Sequence, residues 1–419
     1  MMPFLPLPRG RRRVLIGLGV ALATVSAFGI YQAASGDAGS PPVNVTFVLG
    51  GGSKVKKAVG GTPQGTGLAI QGSFRGLAAA TDGTVYLFTQ EDQGMVMWKR
   101  ETSGSTARIP LTGLDNRTAE QTAVASDGSI YLATGDSLWK IGPDGKTIKL
   151  VETKCDNPRP FVNASIDEFC TGQVTGVTIT ADGTVYFGDQ TVLGQHASYV
   201  HKISGDMVEL VAGRPPQDNE SLLRTNPAVK NGIDPPAGTK AKDVLVPAIW
   251  DSGWLTSSPS GIYWRTGPGI VRINADDTLT PLVGARDPDS ISELKGPFDS
   301  IGSALDAEIG RGSIGSSRGD LTTLPDRSEI YYTDAHETYS PPFSSEYRWA
   351  GEKTASQKDF IDNLLKGKVI YQVSGENIAP VMSGVQAIAA SGDSLYIAAE
   401  SESDNRATGV LQVELPEMS

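Results

Sequence analysis

The sequence predicts an all-β fold: a six-bladed β-propeller of four-stranded antiparallel blades, closed by its N-terminal strand and carrying one short inserted helix. Three observations predict it. First, a phrase made of a polar turn and an alternating strand, complete as ATDGTVYLF (80–88), recurs as ASDGSIYLAT (125–134) and TADGTVYFGD (180–189). Looser copies are PSGIYWRT (259–266), PDRSEIYYTD (325–334) and ASGDSLYIAA (390–399). Second, helical periodicity is scarce, while 49 Gly and 26 Pro in 419 residues make a turn-rich chain. Third, the last repeat lacks one strand, and an isolated strand near the N-terminus has the sequence to replace it.

In chain order, 1–34 reads as a signal peptide or signal anchor. Arg9, Arg11, Arg12 and Arg13 precede the uncharged run VLIGLGVALATVSAFGI (14–30). Seventeen residues is short for a bilayer span and long for a signal core, so both readings stay open. The arginines keep the N-terminus cytoplasmic and send the remainder outside, either released or anchored to the cytoplasmic membrane. Residues 35–42 form a Gly/Ser/Pro linker, and 43–419 form the propeller.

VNVTFVLGGG (43–52) is a strand without a nearby hairpin partner. Blade 1 then reads as strands a to d: GLAAAT (76–81), TVYLFT (84–89), MVMWKRE (95–101) and ARIPLTG (107–113). Blades 2 to 5 repeat the order from 121, 174, 253 and 320. Blade 6 has only VQAIAAS (385–391), SLYIAAE (394–400) and VLQVEL (410–415). VTFVLGG resembles the d strands MVELVAG (207–213) and TLTPLVG (278–284), so it should pair with 410–415 and close the ring. The tyrosines of the repeat, Tyr86, Tyr131, Tyr186, Tyr263, Tyr331 and Tyr396, are expected between blades.

The stretches 214–242, 285–308 and 335–367 interrupt the repeat. The last lies between strands b and c of blade 5. It includes TASQKDFIDNLLKG (354–367), a short helix with Thr354 as N-cap, Phe360, Ile361, Leu364 and Leu365 as its apolar face, and Gly367 as its stop.

The pattern resembles the NHL-repeat propellers, through LVAG (210–213), LVG (282–284) and the six hairpins. The resemblance spans roughly 43–415 and implies the propeller fold. The family's members include extracellular sensor domains, protein- and RNA-binding modules and some lyases. Its Asp-x-x-Asn-x-Arg segment between strands b and c is missing, replaced by TQEDQGMVMWK, ATGDSLWKI and RTGPGIVRI, which makes this a divergent member.

Net charge is -11. Without the four leading arginines, 32 basic residues face 47 acidic ones, so the exported part carries about -15. That excludes nucleic acid as a partner and leaves the membrane only the N-terminal segment. Cys155 and Cys170 lie fifteen apart in an irregular stretch and, in an exported chain, are expected to form a disulfide.

No GxSxG, HExxH, P-loop or dinucleotide fingerprint occurs. The polar positions where inner strands start are Arg75, Gln121, Thr175, Asp251, Asp320 and Gln386, a mixed set rather than a ligand cage. No metal site or cofactor is expected, with calcium the one ion left open. DAHETY (334–339) places an acid, an imidazole and a phenol at the start of the blade 5 insertion. Tyr339, Phe343, Tyr347 and Trp349, with Trp250 and Trp254 of blade 4, either line a binding face or pack.

The end of strand b shares a rim with the start of strand a. The expected binding face is therefore that rim, with Arg75, Trp250, Asp251, Arg318, Asp320, His336, Tyr339 and Trp349, and with 335–367 dispensable for folding. The function expected is a non-catalytic extracytoplasmic module that recognises an unidentified ligand or protein. The alternative is a propeller lyase or hydrolase, lactonase-like or streptogramin-lyase-like, with a metal at the channel mouth.

Overall fold

The computed structural model describes residues 43–50, 70, 72–114, 119–153, 163–191, 197–216, 237–247, 252–266, 269–284, 302–306, 320–324, 329–334, 347–349, 357–358, 360, 368–375, 377–401 and 407–414. Residues 43–419 form one compact unit, distinct from 1–42.

Six sheets each have a core of antiparallel strands, and some take further strands from elsewhere in the chain. Blade 1 is Ser73–Ala79, Val85–Glu91, Gly94–Arg100 and Thr106–Pro110. Blade 2 starts at Gln121–Val124, blade 3 at Gln173–Ile179, blade 4 at Ser252–Ser258, blade 5 at Leu321–Thr323 and blade 6 at Ala387–Ser391. Each of these first strands meets its counterparts in the two flanking blades, blade 6 meeting blade 1, so they form an inner ring. The connectors outside the repeat also contribute. Ala164–Ser165 extends blade 3 beyond its fourth strand, Val246–Pro247 pairs with its third, and Gly302–Ser303 extends blade 5.

The repeated turn explains the repeated phrase. Asp82, Asp127 and Asp182 each accept a hydrogen bond at Oδ1 from the backbone N–H two residues on, at 2.8, 2.8 and 3.1 Å. The glycine between lies at φ 84°, 79° and 84°, where a Cβ is strained. The strand that follows packs between blades. Tyr86 and Phe88 of blade 1, for example, share one buried cluster with Ile130, Leu132 and Trp139 of blade 2. Tyr86, Tyr263, Tyr331 and Tyr396 are buried as expected, and Tyr131 and Tyr186 are half-buried.

Val43–Gly50 closes the ring. It pairs antiparallel with Ala407–Glu414, from Asn44 opposite Glu414 to Gly50 opposite Gly409. Val45 and Leu49 are fully buried and Phe47 nearly so. At roughly 1.5–3 kcal/mol per buried side chain, these three account for much of the strand's hold.

The blade 5 insertion departs from the expectation that it only decorates a rim. Tyr347–Trp349 pairs in parallel with the closing strand, Val43 opposite Tyr347 and Val45 opposite Trp349, as a fifth strand of blade 6. Gln357, Lys358 and Phe360 are helical, while Thr354, Ile361, Leu364, Leu365 and Gly367 of the expected helix lie outside the described residues. Phe360 is fully buried, edge-on to Phe47 at 5.8 Å. The closing strand would otherwise expose an open edge, and this insertion covers it.

Candidate functional site at the channel

The inner strands of all six blades surround a cavity of about 810 Å³. It extends to the Asp-Gly turns, with Thr81, Ser126 and Asp182 at that end, and its walls are largely Thr, Ser and Ala. Many of those hydroxyls are committed to joining blades. Thr122 donates to Leu77 O at 2.5 Å, Ser257 to Ile179 O at 2.7 Å, and Thr323 to Ser257 O at 2.8 Å. Ser391 donates to Ala80 O across the junction of blades 6 and 1.

Deeper in the channel, Gln121 bridges several blades. Its Nε2 donates to Leu255 O at 2.6 Å and Leu321 O at 3.4 Å. Its Oε1 accepts from Val177 N at 3.0 Å and Leu255 N at 2.9 Å. One buried side chain from blade 2 thereby satisfies backbone groups of blades 3, 4 and 5. Asp320 acts similarly at the next junction, where its Oδ2 accepts from Ile388 N of blade 6 at 3.0 Å. Blades 3 and 4 approach so closely that a Cβ on Gly176 or Gly188 would collide with the Gly253 carbonyl oxygen.

Arg75 and Thr175 occupy equivalent β-bulges of inner strands. In blade 1 the ladder skips from Phe74 to Gly76, and in blade 3 from Val174 to Gly176. Bulges re-aim a side chain relative to the regular pleat. Both residues are half-buried, and Arg75 Nε and Thr175 Oγ1 are buried atoms with no hydrogen-bond partner among the described residues.

Of the residues expected at the binding rim, Arg75 and Asp320 thus belong to inner strands or their starts. Trp349 does not join them, because its backbone lies on the outermost strand of blade 6. Trp250, Asp251, Arg318, His336 and Tyr339 lie outside the described residues. Trp254 is buried beneath the Arg265 guanidinium at 4.9 Å, and Arg265 Nη1 donates to Thr333 O at 3.0 Å. That tryptophan packs rather than lines a surface. Cys155 also lies outside the described residues, and no described cysteine is free.

The sequence reading missed a buried polar pair in blade 3. Asp189 and His201 are fully buried, with Oδ2 3.7 Å from Nε2 and the rings of Phe169, Phe187 and Tyr199 around the imidazole. Asp189 Oδ1 accepts from Gly172 N at 2.9 Å and Gln173 N at 3.2 Å, fastening the segment that follows Cys170. Desolvation raises Asp189 to about 7 and lowers His201 to about 3, so the neutral pair is favoured between those values. Alternation in the strand places both residues on one face, but no sequence signal identifies that face as dry.

Among the described residues, no group of three or more His, Cys, Asp or Glu is arranged to hold a metal. No described helix is long and apolar enough to cross a membrane, and the apolar run 14–30 lies outside that description.

No family model and no curated protein matches the chain. Solved structures do resemble it. One is a protein of unknown function from Bacteroides thetaiotaomicron, with 11% identity over 89% of this chain and 76% of that one, TM-score 0.47. Another is the calcium-binding protein regucalcin from Agrobacterium tumefaciens, with 11% identity, 90% and 98% coverage, TM-score 0.44. Virginiamycin B lyase from Staphylococcus aureus shows 12% identity, 82% and 95% coverage, TM-score 0.40. Likeness at this level bears on neither site nor substrate. The pairing of strands establishes the chain as a six-bladed β-propeller.

Proposed function

We propose that the chain is an exported, divergent relative of the NHL-repeat propellers and a non-catalytic recognition module, binding a ligand or protein on one rim. Residues 1–34 deliver it across the cytoplasmic membrane as a signal peptide or anchor, 35–42 serve as linker, and Cys155 pairs with Cys170. The observation that carries the reading is how the inner polar residues are used. Gln121 makes four hydrogen bonds that join blades, and Asp320 holds the backbone of the next blade. A channel-mouth metal enzyme would need such side chains aimed at a common ion or substrate.

Metal analysis of the purified exported protein tests this. The expected result is no stoichiometric calcium or zinc and no change in melting temperature with chelator. One equivalent of tightly held metal would favour the lyase or hydrolase alternative.

A further inference from the structure

Taking the recognition reading as given, we infer that Arg75 is the anchor for an anionic oxygen group, a carboxylate or a phosphate, on the ligand bound at the inner mouth of blade 1. Arg75 is the extra residue of its bulge, with Phe74 paired to Thr89 and Gly76 to Phe88. It lies just before Leu77, where the wall of the large cavity begins, and so at the other end of the inner strand from the Asp-Gly turn.

Its guanidinium has no acceptor among the described residues, and its Nε is shut away from solvent. Carboxylates of blades 1, 5 and 6 are already engaged. Glu400 Oε1 accepts from Phe74 N at 3.2 Å, Glu91 is ion-paired with Arg108, and Asp320 accepts from Ile388 N. A half-buried cation lacking a partner costs folding free energy, because its hydration is lost without replacement. The planar fork of donors on a guanidinium matches two oxygens of one carboxylate or phosphate. The chain around it has net charge -11, a field that repels polyanions and leaves a small, singly or doubly charged group as the fitting partner.

The test compares full-length wild type, Arg75→Met and Arg75→Lys by thermal melting and titration calorimetry. Sodium phosphate and sodium acetate are the probes, with sodium chloride at matched ionic strength as control. Wild type is expected to show a saturable rise in melting temperature with one of the two, and which one distinguishes phosphate from carboxylate. Arg75→Met is expected to melt higher than wild type without anion and to lose the response. Arg75→Lys should keep a response roughly tenfold weaker in apparent affinity, because the two-pronged contact is gone. Absence of any anion-specific response in wild type overturns the inference, as does an undiminished response in Arg75→Met. Either result leaves the recognition reading standing, whereas stoichiometric metal in the same preparation removes that reading by a separate measurement.

Discussion

Blades 1 and 6 use the same four-strand plan but finish it differently. The outer strand of blade 1, Thr106–Pro110, follows its neighbour through a tight hairpin and is largely solvent-exposed. The outer strand of blade 6, Val43–Gly50, comes from the other end of the chain and is buried at Val45 and from Phe47 to Gly50. Connectivity holds the first in place at little entropic cost. The second closes a loop of nearly the whole domain, so side-chain burial and a covering insertion must supply what the hairpin supplies elsewhere. A ring's seam therefore needs better packing than its repeats.

The largest expected effect comes from deleting 43–50. Loss of Val45, Phe47 and Leu49 removes roughly 5–8 kcal/mol of burial, comparable to a whole domain's stability of about 5–15 kcal/mol. Cooperative melting should disappear, and a truncated protein melting like the parent would contradict closure. Phe360→Ala should come next, at about 3–5 kcal/mol, because the ring is fully buried against Phe47. In blade 1 the matching outer-strand change, Arg108→Ala, should cost under about 0.5 kcal/mol. Equal losses in chemical denaturation at the two sites would erase the contrast between seam and repeat.

Gln121→Ala should cost about 2–4 kcal/mol, since it strands the buried N–H groups of Val177 and Leu255. Gln121→Glu should recover little, because Nε2 donates two of the four bonds. A Gln121→Ala protein with unchanged denaturation midpoint would show that the bridge is dispensable.

The smallest effect is a pH dependence in blade 3. Asp189 is raised in the fold to about 7, so its contribution declines as pH rises from about 4 to 7. His201 is lowered to about 3, so its contribution declines as pH falls from about 6.5 to 3. Between about 4 and 6.5 these slopes oppose each other: one proton is bound either way, on Asp189 when folded and on His201 when unfolded. The wild-type pair should thus add little pH dependence in that window. Asp189→Asn removes one slope, so its stability relative to wild type should rise between pH 4.5 and 7 and level off above. A pH-independent difference would mean Asp189 is ionised in the fold.

The hairpins were legible because turn chemistry is local: an Asp, a Gly and a β-branched or small polar residue write the same turn wherever they occur. Closure was legible from a missing strand and the likeness of VTFVLGG to MVELVAG. The insertion's partner was not, because three paired residues and a single phenylalanine carry no periodicity. Gln121 stood in the polar set at the inner-strand starts, yet its bonds reach residues 134 and 200 positions away, beyond any local pattern. The repeat positions of Arg75 and Asp320 mark them as site residues. The sequence could not tell that Asp320 is tied to blade 6 while the Arg75 guanidinium has no described acceptor.

Hydrogen–deuterium exchange on the intact exported protein tests the seam most directly. If the N-terminal strand closes the ring, amides of 45–49 and 410–413 should exchange as slowly as those of the inner strand 173–179. Phe360→Ala should accelerate the first two segments before the third. Rapid exchange at 45–49 beside a protected 173–179 in wild type would show a ring that stays folded without its closing strand, and would contradict the account.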